Sequence, residues 1–221
     1  MTLESDGYLT LDGILPDVLT KKLVQSINNR EHQNETIKVD WHWLVRPNPL
    51  YNALLELLRV RASSLGLDVE FSRDAIVFDR REGCQGMYWH QDNDAGIAGE
   101  KQRYAWCCYL EPVDRHHGSL MVIPGSHKTT HPIYKTDFYR ATQKYRELRD
   151  SISPERGVDD SSAQLADPET YELVHSVPDN AVFVEFEKNG IVVTNHAVMH
   201  GVVPNAPDRK RPMILWWSYE T

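Results

Sequence analysis

The chain has 221 residues, of which 41% are hydrophobic and 25% charged, and this suits a single globular domain with a full hydrophobic core. A net charge of −8 argues against nucleic-acid binding, and no apolar run approaches the roughly 20 residues that cross a membrane. The N-terminus does not resemble a secretory signal, and an odd number of cysteines with two adjacent is not a disulfide framework, so we expect a cytoplasmic protein.

The first third of the chain predicts two helices with a strand between them. Apolar residues recur at helical spacing over about 16–30, and Pro16 suits the first turn of that helix. From Ile37 to Val45 apolar residues alternate, which is typical of a strand. Helical spacing returns over about 49–66, so each helix has one apolar face to bury.

Short β segments follow Gly66. Alternating apolar residues bounded by turn sequences predict strands near 69–81, 85–91, 102–112, 119–124, 181–187, 190–195, 198–203 and 211–219. Many short strands with regular turns are typical of a β-sandwich or a closed β architecture. We therefore expect one mainly β domain over 1–221, with the two early helices covering one outer face.

One long segment interrupts this series of strands. Residues 128–178 have little strand character, and only 137–152 shows helical spacing. Long insertions in compact β domains are often functional. We interpret this one as a lid or a substrate-shaping loop, and the alternative is a surface excursion.

The tripeptide His90-Gln91-Asp92 ends a predicted strand. Because residues i and i+2 of a strand point to the same side, His90 and Asp92 can reach one metal ion while Gln91 faces elsewhere. The tripeptide alone is weak evidence, since ten histidines and 32 acidic residues make chance matches common. Its place between a strand and a loop, and the residues that follow later in the chain, make it a candidate metal site.

His200 and Arg211 complete this candidate site. His200 ends an apolar run, and Arg211 lies on the next predicted strand, so a hairpin would bring the two together. Two imidazoles and one carboxylate on one face of an ion are the ligands of non-haem Fe(II) oxygenases. A guanidinium fork suits the carboxylate of an organic co-substrate. His196 is a candidate for supporting the ligands from behind.

Three motifs occur along the chain in a fixed order. They are His90-Gln91-Asp92, then Gly118-Ser119-Leu120-Met121-Val122-Ile123-Pro124-Gly125-Ser126-His127, and then His200-Gly201 followed by Pro204-Asn205 and Arg211. The middle one is similar to a G-x-L-x-x-x-P-G-S-H run. In this order they resemble the phytanoyl-CoA dioxygenase family of Fe(II)/2-oxoglutarate-dependent oxygenases, from Asp6-Gly7-Tyr8-Leu9 to the last strand.

The resemblance implies a double-stranded β-helix, that is, a cupin-like jelly roll. It implies that Fe(II) is bound by His90, Asp92 and His200. Arg211 would hold the distal carboxylate of 2-oxoglutarate, and O2 would be the other co-substrate.

Three positions refine what the resemblance implies. Gln91 matches a position that can touch 2-oxoglutarate. Val202 stands where many relatives have a small hydroxyl residue, so one hydrogen bond to 2-oxoglutarate is either missing or supplied elsewhere. Related halogenases have Gly or Ala at the carboxylate position, so Asp92 implies hydroxylation or another oxygenase outcome, such as oxidative cyclisation or desaturation.

Residues around the tripeptide indicate the class of substrate. The candidates for substrate contact are Tyr88, Trp89, Asn93, Trp41 and Arg46. Aromatic walls with polar groups suit a polar small molecule, such as a glycoside, an aminocyclitol or another natural product. A CoA thioester fits less well, because no basic cluster is present for its phosphates. We expect a monomer or homodimer that binds neither nucleic acid nor membranes.

Two other interpretations stay open at this stage. One is a cupin-like metal protein that binds Zn, Mn or Ni without oxygenase activity. The other is a plain β-sandwich binding module in which the motifs are accidental. Arg211 favours the oxygenase, because a protein that binds only a metal has no need for it.

Overall fold

Two antiparallel sheets and three helices make up the part of the chain that the structure, a computed structural model, describes. The described residues are 1–29, 42–46, 48–80, 87–92, 102–128, 177–203 and 210–221. In those ranges the helices are α1 (Leu3–Asp6), α2 (Asp17–Asn28) and α3 (Pro49–Ser64). The strands there are β1 (Tyr8–Asp12), β2 (His42–Val45), β3 (Val69–Phe71), β4 (Ala75–Arg80), β5 (Met87–His90), β6 (Arg103–Tyr109), β7 (Leu120–Val122), β8 (Val182–Phe183), β9 (Gly190–Asn195), β10 (His200–Val202) and β11 (Arg211–Glu220).

The two sheets exchange strands along the chain. The larger sheet has the order β1-β9-β6-β11-β4-β2, with β3 also paired to β11, and the smaller has the order β5-β10-β7-β8. The chain passes from β5 in the smaller sheet to β6 in the larger one, and it returns to the smaller sheet for β7 and β8. It then crosses to the larger sheet for β9, goes back to the smaller one for β10 and ends in the larger one with β11. This alternation between two sheets is that of a jelly roll. The predicted mainly β jelly roll is confirmed.

Side chains of the larger sheet alternate between two cores. On β6, Cys107 and Tyr109 belong to a buried cluster that also contains Val122 and Val202 of the smaller sheet. Trp106 belongs instead to the cluster that faces the helices. Because successive side chains of a strand point to opposite faces, both faces of this sheet are buried. We call the first group the inner cluster; it fills the space between the sheets.

Helices α2 and α3 cover the outer face of the larger sheet. Leu23 of α2 and Leu54 and Leu58 of α3 are buried in the same cluster as Trp106 and Trp216. Burying each such leucine contributes about 1.5–3 kcal/mol. The predicted packing of the two early helices on one face is thus observed.

The start of α3 is fixed by local sequence. The Asn48 side-chain oxygen accepts hydrogen bonds from the backbone N–H groups of Leu50 (3.0 Å) and Tyr51 (3.2 Å). Pro49 occupies the first turn, where its missing N–H needs no partner. Both helices, at 17–28 and 49–64, lie within the ranges that their periodicity predicts.

The single strand predicted over 69–81 was wrong, because the chain bends between β3 and β4. The Ser72 N–H donates to the carbonyl of Trp217 (2.8 Å), and the Ser72 hydroxyl donates to the carbonyl of Asp74 (3.0 Å). The two strands pair with different parts of β11: β3 with its end and β4 with its beginning. The bend depends on the partner strand, so the alternation of apolar residues could not reveal it.

The insertion predicted over 128–178 lies outside the described residues, apart from its two ends, and so does the helix predicted over 137–152. Among the described helices, none has the length and apolar character needed to cross a membrane.

Candidate metal centre

His90 and His200 face each other across neighbouring strands of the smaller sheet. They are paired in the antiparallel register of β5 and β10, and their ring centroids are 4.2 Å apart. His200 is also opposite Val122 of β7, which belongs to the inner cluster. Because directly opposite residues of paired strands share a face, both imidazoles point into the space between the sheets.

A bulge and a backbone hydrogen bond position Asp92 beside these rings. From the pair Val202–Met87 to the pair His200–His90, β5 advances one residue more than β10. Such bulges redirect side chains and are common beside active sites. Past the end of β5, the N–H of Asp92 donates to the carbonyl of His196 (3.1 Å), which continues the pairing of the two segments.

Three ligand atoms converge in this position. Asp92 Oδ1 lies 3.5 Å from His90 Nε2, and Asp92 Oδ2 lies 3.7 Å from His200 Nε2. One donor atom from each residue lies within 4.8 Å of the other two. An ion bound at about 2.0–2.2 Å holds neighbouring ligand atoms about 3 Å apart, so a small contraction seats a first-row metal ion. Two imidazole nitrogens and a carboxylate oxygen on one face are the donor set of non-haem Fe(II) sites.

The proton of His200 is placed on the nitrogen that faces away from Asp92. His200 Nδ1 lies 3.0 Å from the carbonyl of Val198, which can only accept a hydrogen bond. Nδ1 therefore carries the proton, and Nε2 presents its lone pair to the candidate ion. A backbone carbonyl on the second ring nitrogen is a common way to orient a histidine ligand.

The charges of the site match metal binding at neutral pH. Burial raises the pKa of Asp92, but the neighbouring His200 and His90 outweigh this and hold it below its ordinary value. Burial lowers the pKa of His200, and His90 lowers it further, against the opposing effect of Asp92. The carboxylate is thus ionised and the His200 ring neutral, which are the states that a metal ligand requires.

Arg211 lies in the same interior with only 1% of its surface exposed. Its Nη1 donates to the carbonyl of Gly118 and lies 3.4 Å from the hydroxyl of Tyr109. Its Nε is buried without a hydrogen-bond partner, and no carboxylate of the described residues forms a salt bridge with it. A buried cation with an unpaired N–H is costly. The carboxylate of a small molecule would neutralise this charge and accept hydrogen bonds from the guanidinium N–H groups.

The charges of both Asp92 and Arg211 act on the thiol of Cys107. Burial raises the pKa of the Cys107 thiol to about 12, and the charge of Asp92 also raises it while that of Arg211 lowers it. The thiol is therefore within electrostatic reach of both charged groups. Asp92 and Arg211 are therefore both close to Cys107 on the inner face of β6.

Trp89 of β5 and Gln91, just past the end of this strand, point away from the inner cluster. Trp89 is fully buried in a cluster with Met121 and Met199. The Gln91 amide is also buried, and its Nε2 donates to the carbonyl of Ala197 in the turn before His200. The structure therefore separates these two side chains from the metal ligands, and Gln91 supports the turn from behind.

The remaining candidates for substrate contact are Arg46, Tyr88, Trp41 and Asn93. Arg46 is exposed and directly follows β2. The backbone of Tyr88 lies in β5, and Trp41 and Asn93 are outside the described residues. Val202 is buried two residues after His200, in the inner cluster.

Two features of the site were not expected from the sequence. Tyr109 and the carbonyl of Gly118 hold the guanidinium of Arg211, and neither carries a local sequence signal for this role. The sequence suggested that His196 supports the ligands. In the structure its carbonyl accepts a hydrogen bond from the Asp92 N–H, and its ring Nδ1 lies 3.1 Å from the Arg103 backbone nitrogen.

Comparison with known proteins agrees with this geometry. The family model for phytanoyl-CoA dioxygenase (PhyH) matches residues 12–213. No curated protein matches the sequence.

Three similar solved structures share the fold at low sequence identity. EvdO2 from Micromonospora carbonacea var. aurantiaca is 18% identical, with a TM-score of 0.65, covering 99% of this chain and 88% of that one. EctD from S. alaskensis, with 2-oxoglutarate and 5-hydroxyectoine, is 17% identical, with a TM-score of 0.61 and coverages of 99% and 74%. HygX from Streptomyces hygroscopicus, with nickel and 2-oxoglutarate, is 13% identical, with a TM-score of 0.62 and coverages of 99% and 85%.

Proposed function

The chain belongs to the phytanoyl-CoA dioxygenase family and is an Fe(II)- and 2-oxoglutarate-dependent dioxygenase, and we propose that it oxidises a C–H bond of a polar small molecule. The proposed outcome is hydroxylation or oxidative cyclisation. The proposed substrates are a glycoside, an aminocyclitol or another natural product of a biosynthetic pathway. We place the enzyme in the cytoplasm, where the unpaired thiols of Cys107 and Cys108 would remain reduced.

One observation carries the proposal for the site. Three donor atoms converge from His90, Asp92 and His200, and a buried Arg211 with an unpaired N–H lies in the same interior. We assign the first three as the Fe(II) ligands and the fourth as the partner of the distal carboxylate of 2-oxoglutarate. A protein that bound only a metal would not need the buried guanidinium.

The residues of the site have separate roles in the proposed reaction. With 2-oxoglutarate and O2, bound Fe(II) supplies the oxidation of a C–H bond coupled to decarboxylation of the 2-oxo acid to succinate and CO2. His90, Asp92 and His200 would hold the ion and would leave other positions for the small molecules. Arg211 fixes the far end of 2-oxoglutarate, and the inner cluster excludes water around it.

The reaction type follows from Asp92. Its ionised carboxylate occupies a position that a halogenase would leave vacant for halide, so we propose oxygen chemistry rather than halogen transfer. For the substrate, the EctD structure contains both 2-oxoglutarate and 5-hydroxyectoine, and we propose a polar small molecule here as well. Arg46, Tyr88, Asn93 and Trp41 are the side chains that we propose for its contacts.

Anaerobic spectroscopy tests this function directly. Fe(II) and 2-oxoglutarate added to the protein should give a weak visible charge-transfer band. The band should be lost in His200→Ala and weakened in Arg211→Ala, and it should persist in His116→Ala, which removes an exposed histidine of a turn. A wild-type protein that gives no band would contradict the proposal. Screening glycosides, aminocyclitols and acyl-CoAs for 2-oxoglutarate turnover then tests the substrate class, and activity on acyl-CoAs alone would refute it.

A further inference from the structure

The inner face of the larger sheet extends past Cys107 towards β4 as a row of apolar side chains. Leu215 of β11 is directly opposite Cys107 of β6, and Ile76 of β4 is directly opposite Leu215. Because directly opposite residues of paired strands share a face, all three point to the side of the smaller sheet. Neighbouring strands are about 4.8 Å apart, which places Ile76 about 10 Å from Cys107.

A second row of apolar side chains starts at Tyr109. Met213 of β11 is opposite Tyr109, and Phe78 of β4 is opposite Met213. On β4 the side chains of Ile76 and Phe78 are only half-buried where they pack against the inner cluster. We call the residues of this surface the apolar wall: Ile76, Phe78, Met213, Leu215 and Trp217. None of these side chains carries a charge.

The other end of the same face is closed. Val192 of β9, on the opposite side of Cys107 from Leu215, is fully buried. The ring of Phe186 lies so close to Gly190 of β9 that a Cβ atom there would overlap it. A molecule that approaches the metal centre along this face therefore meets the apolar wall and is excluded from the β9 side.

We propose that the substrate lies on the apolar wall through an uncharged, apolar face, and that Ile76 and Phe78 determine which substrates are accepted. This inference rests on the function proposed above and narrows its substrate class. The substrate would be a polar molecule that also carries an apolar ring or alkyl group, such as a glycoside with an aromatic aglycone. An aminocyclitol fits less well, because its ammonium groups would lose water against the wall without gaining a charged partner there.

Two glucosides that differ in one group probe the wall. Phenyl β-D-glucopyranoside has an aromatic ring where methyl β-D-glucopyranoside has a methyl group, and 2-deoxystreptamine supplies the charged aminocyclitol. Binding to the protein loaded with Fe(II) and 2-oxoglutarate, without O2, is followed by the change in the charge-transfer band. We expect the phenyl glucoside to bind about tenfold or more tightly than the methyl glucoside, because its ring removes more apolar surface from water.

Two variants of Ile76 separate the apolar contact from the shape of the side chain. Val and Thr are both β-branched and similar in size, so Ile76→Val keeps the wall apolar while Ile76→Thr places a hydroxyl in it. The preference for the phenyl glucoside should persist in Ile76→Val and fall by about threefold or more in Ile76→Thr. Ile14→Thr makes the same change at a half-buried isoleucine that packs against the cluster facing the helices, and it should leave the preference unchanged.

Several results would overturn this inference. It fails if the wild type binds both glucosides equally or binds neither, or if 2-deoxystreptamine binds more tightly than the phenyl glucoside. It also fails if Ile76→Thr keeps the full preference, or if Ile76→Val or Ile14→Thr loses as much of it. A wild-type protein that gives no charge-transfer band with Fe(II) and 2-oxoglutarate would instead refute the proposed function itself.

Discussion

The backbone N–H of Asp92 donates to the carbonyl of His196 at 3.1 Å, which joins the segment that bears two candidate ligands to the turn that precedes the third. The neighbouring Gln91 side chain adds a second bond to the same turn, at the carbonyl of Ala197. The turn is held from the other side as well, because the Met199 N–H donates to the Ser126 hydroxyl at 2.8 Å. His200 is therefore positioned by the protein and does not depend on the ion for its place.

The bond from Gln91 predicts an effect on both stability and metal affinity. Gln91→Ala leaves a buried carbonyl without its partner, which should lower the free energy of unfolding by about 1–3 kcal/mol. It should also weaken metal binding by about tenfold or more, because the support of a ligand is lost. Urea unfolding and calorimetric titration with Ni(II) measure the two effects. Gln25→Ala, an exposed change on α2, is the control, and equal metal affinity in both variants would contradict the supporting role.

Removing the carboxylate of Asp92 should disable the metal site while leaving the fold intact. Its side chain is 22% exposed and lies beyond the end of β5, so Asp92→Ala should change the melting temperature of the metal-free protein little. The ionised carboxylate that balances the ion's charge is lost, so Ni(II) affinity should fall by about a hundredfold or more. Unchanged affinity would show that a residue other than Asp92 provides the third ligand.

Replacing Arg211 should weaken the binding of 2-oxoglutarate while leaving metal binding intact. A ligand at 100 times its Kd stabilises a protein by about 2.7 kcal/mol. The wild type loaded with Ni(II) should show a stabilisation of this size on adding 2-oxoglutarate. Arg211→Met should still be stabilised by Ni(II) but gain much less from 2-oxoglutarate, because the buried fork is gone. Thermal melts with each ligand alone and both together decide this, and a full 2-oxoglutarate effect in the variant would refute the assignment.

The buried thiols predict resistance to alkylation. Burial raises the pKa of Cys107 to about 12 and that of Cys108 well above its usual value. Thiols react as thiolates, so neither should react with a thiol reagent in the native protein at pH 8. A Cys84→Ser variant removes the third thiol, and mass spectrometry should then find two labels after unfolding and none before. Rapid native labelling would mean that the space along β6 is open to solvent-borne reagents.

The sequence was most informative where a property is local. The i, i+2 spacing of His90 and Asp92 placed both on one side of a strand, and the same rule placed Gln91 on the other, where the structure has it. The contact of Gln91 with 2-oxoglutarate was implied only by the family resemblance, and it stays a prediction. The bend between β3 and β4 was missed, because the partner strand β11 causes it.

The sequence by itself determined the mainly β architecture and the two helices on one face, because these follow from periodicity. The i, i+2 spacing paired His90 with Asp92, and the family resemblance implied His200 as their partner. Only the tertiary structure decided that His200 stands opposite His90 and that Arg211 meets Tyr109, which is 102 residues away along the chain. Such contacts depend on the register between distant strands, and a shift of one residue would turn each side chain to the other face of its sheet.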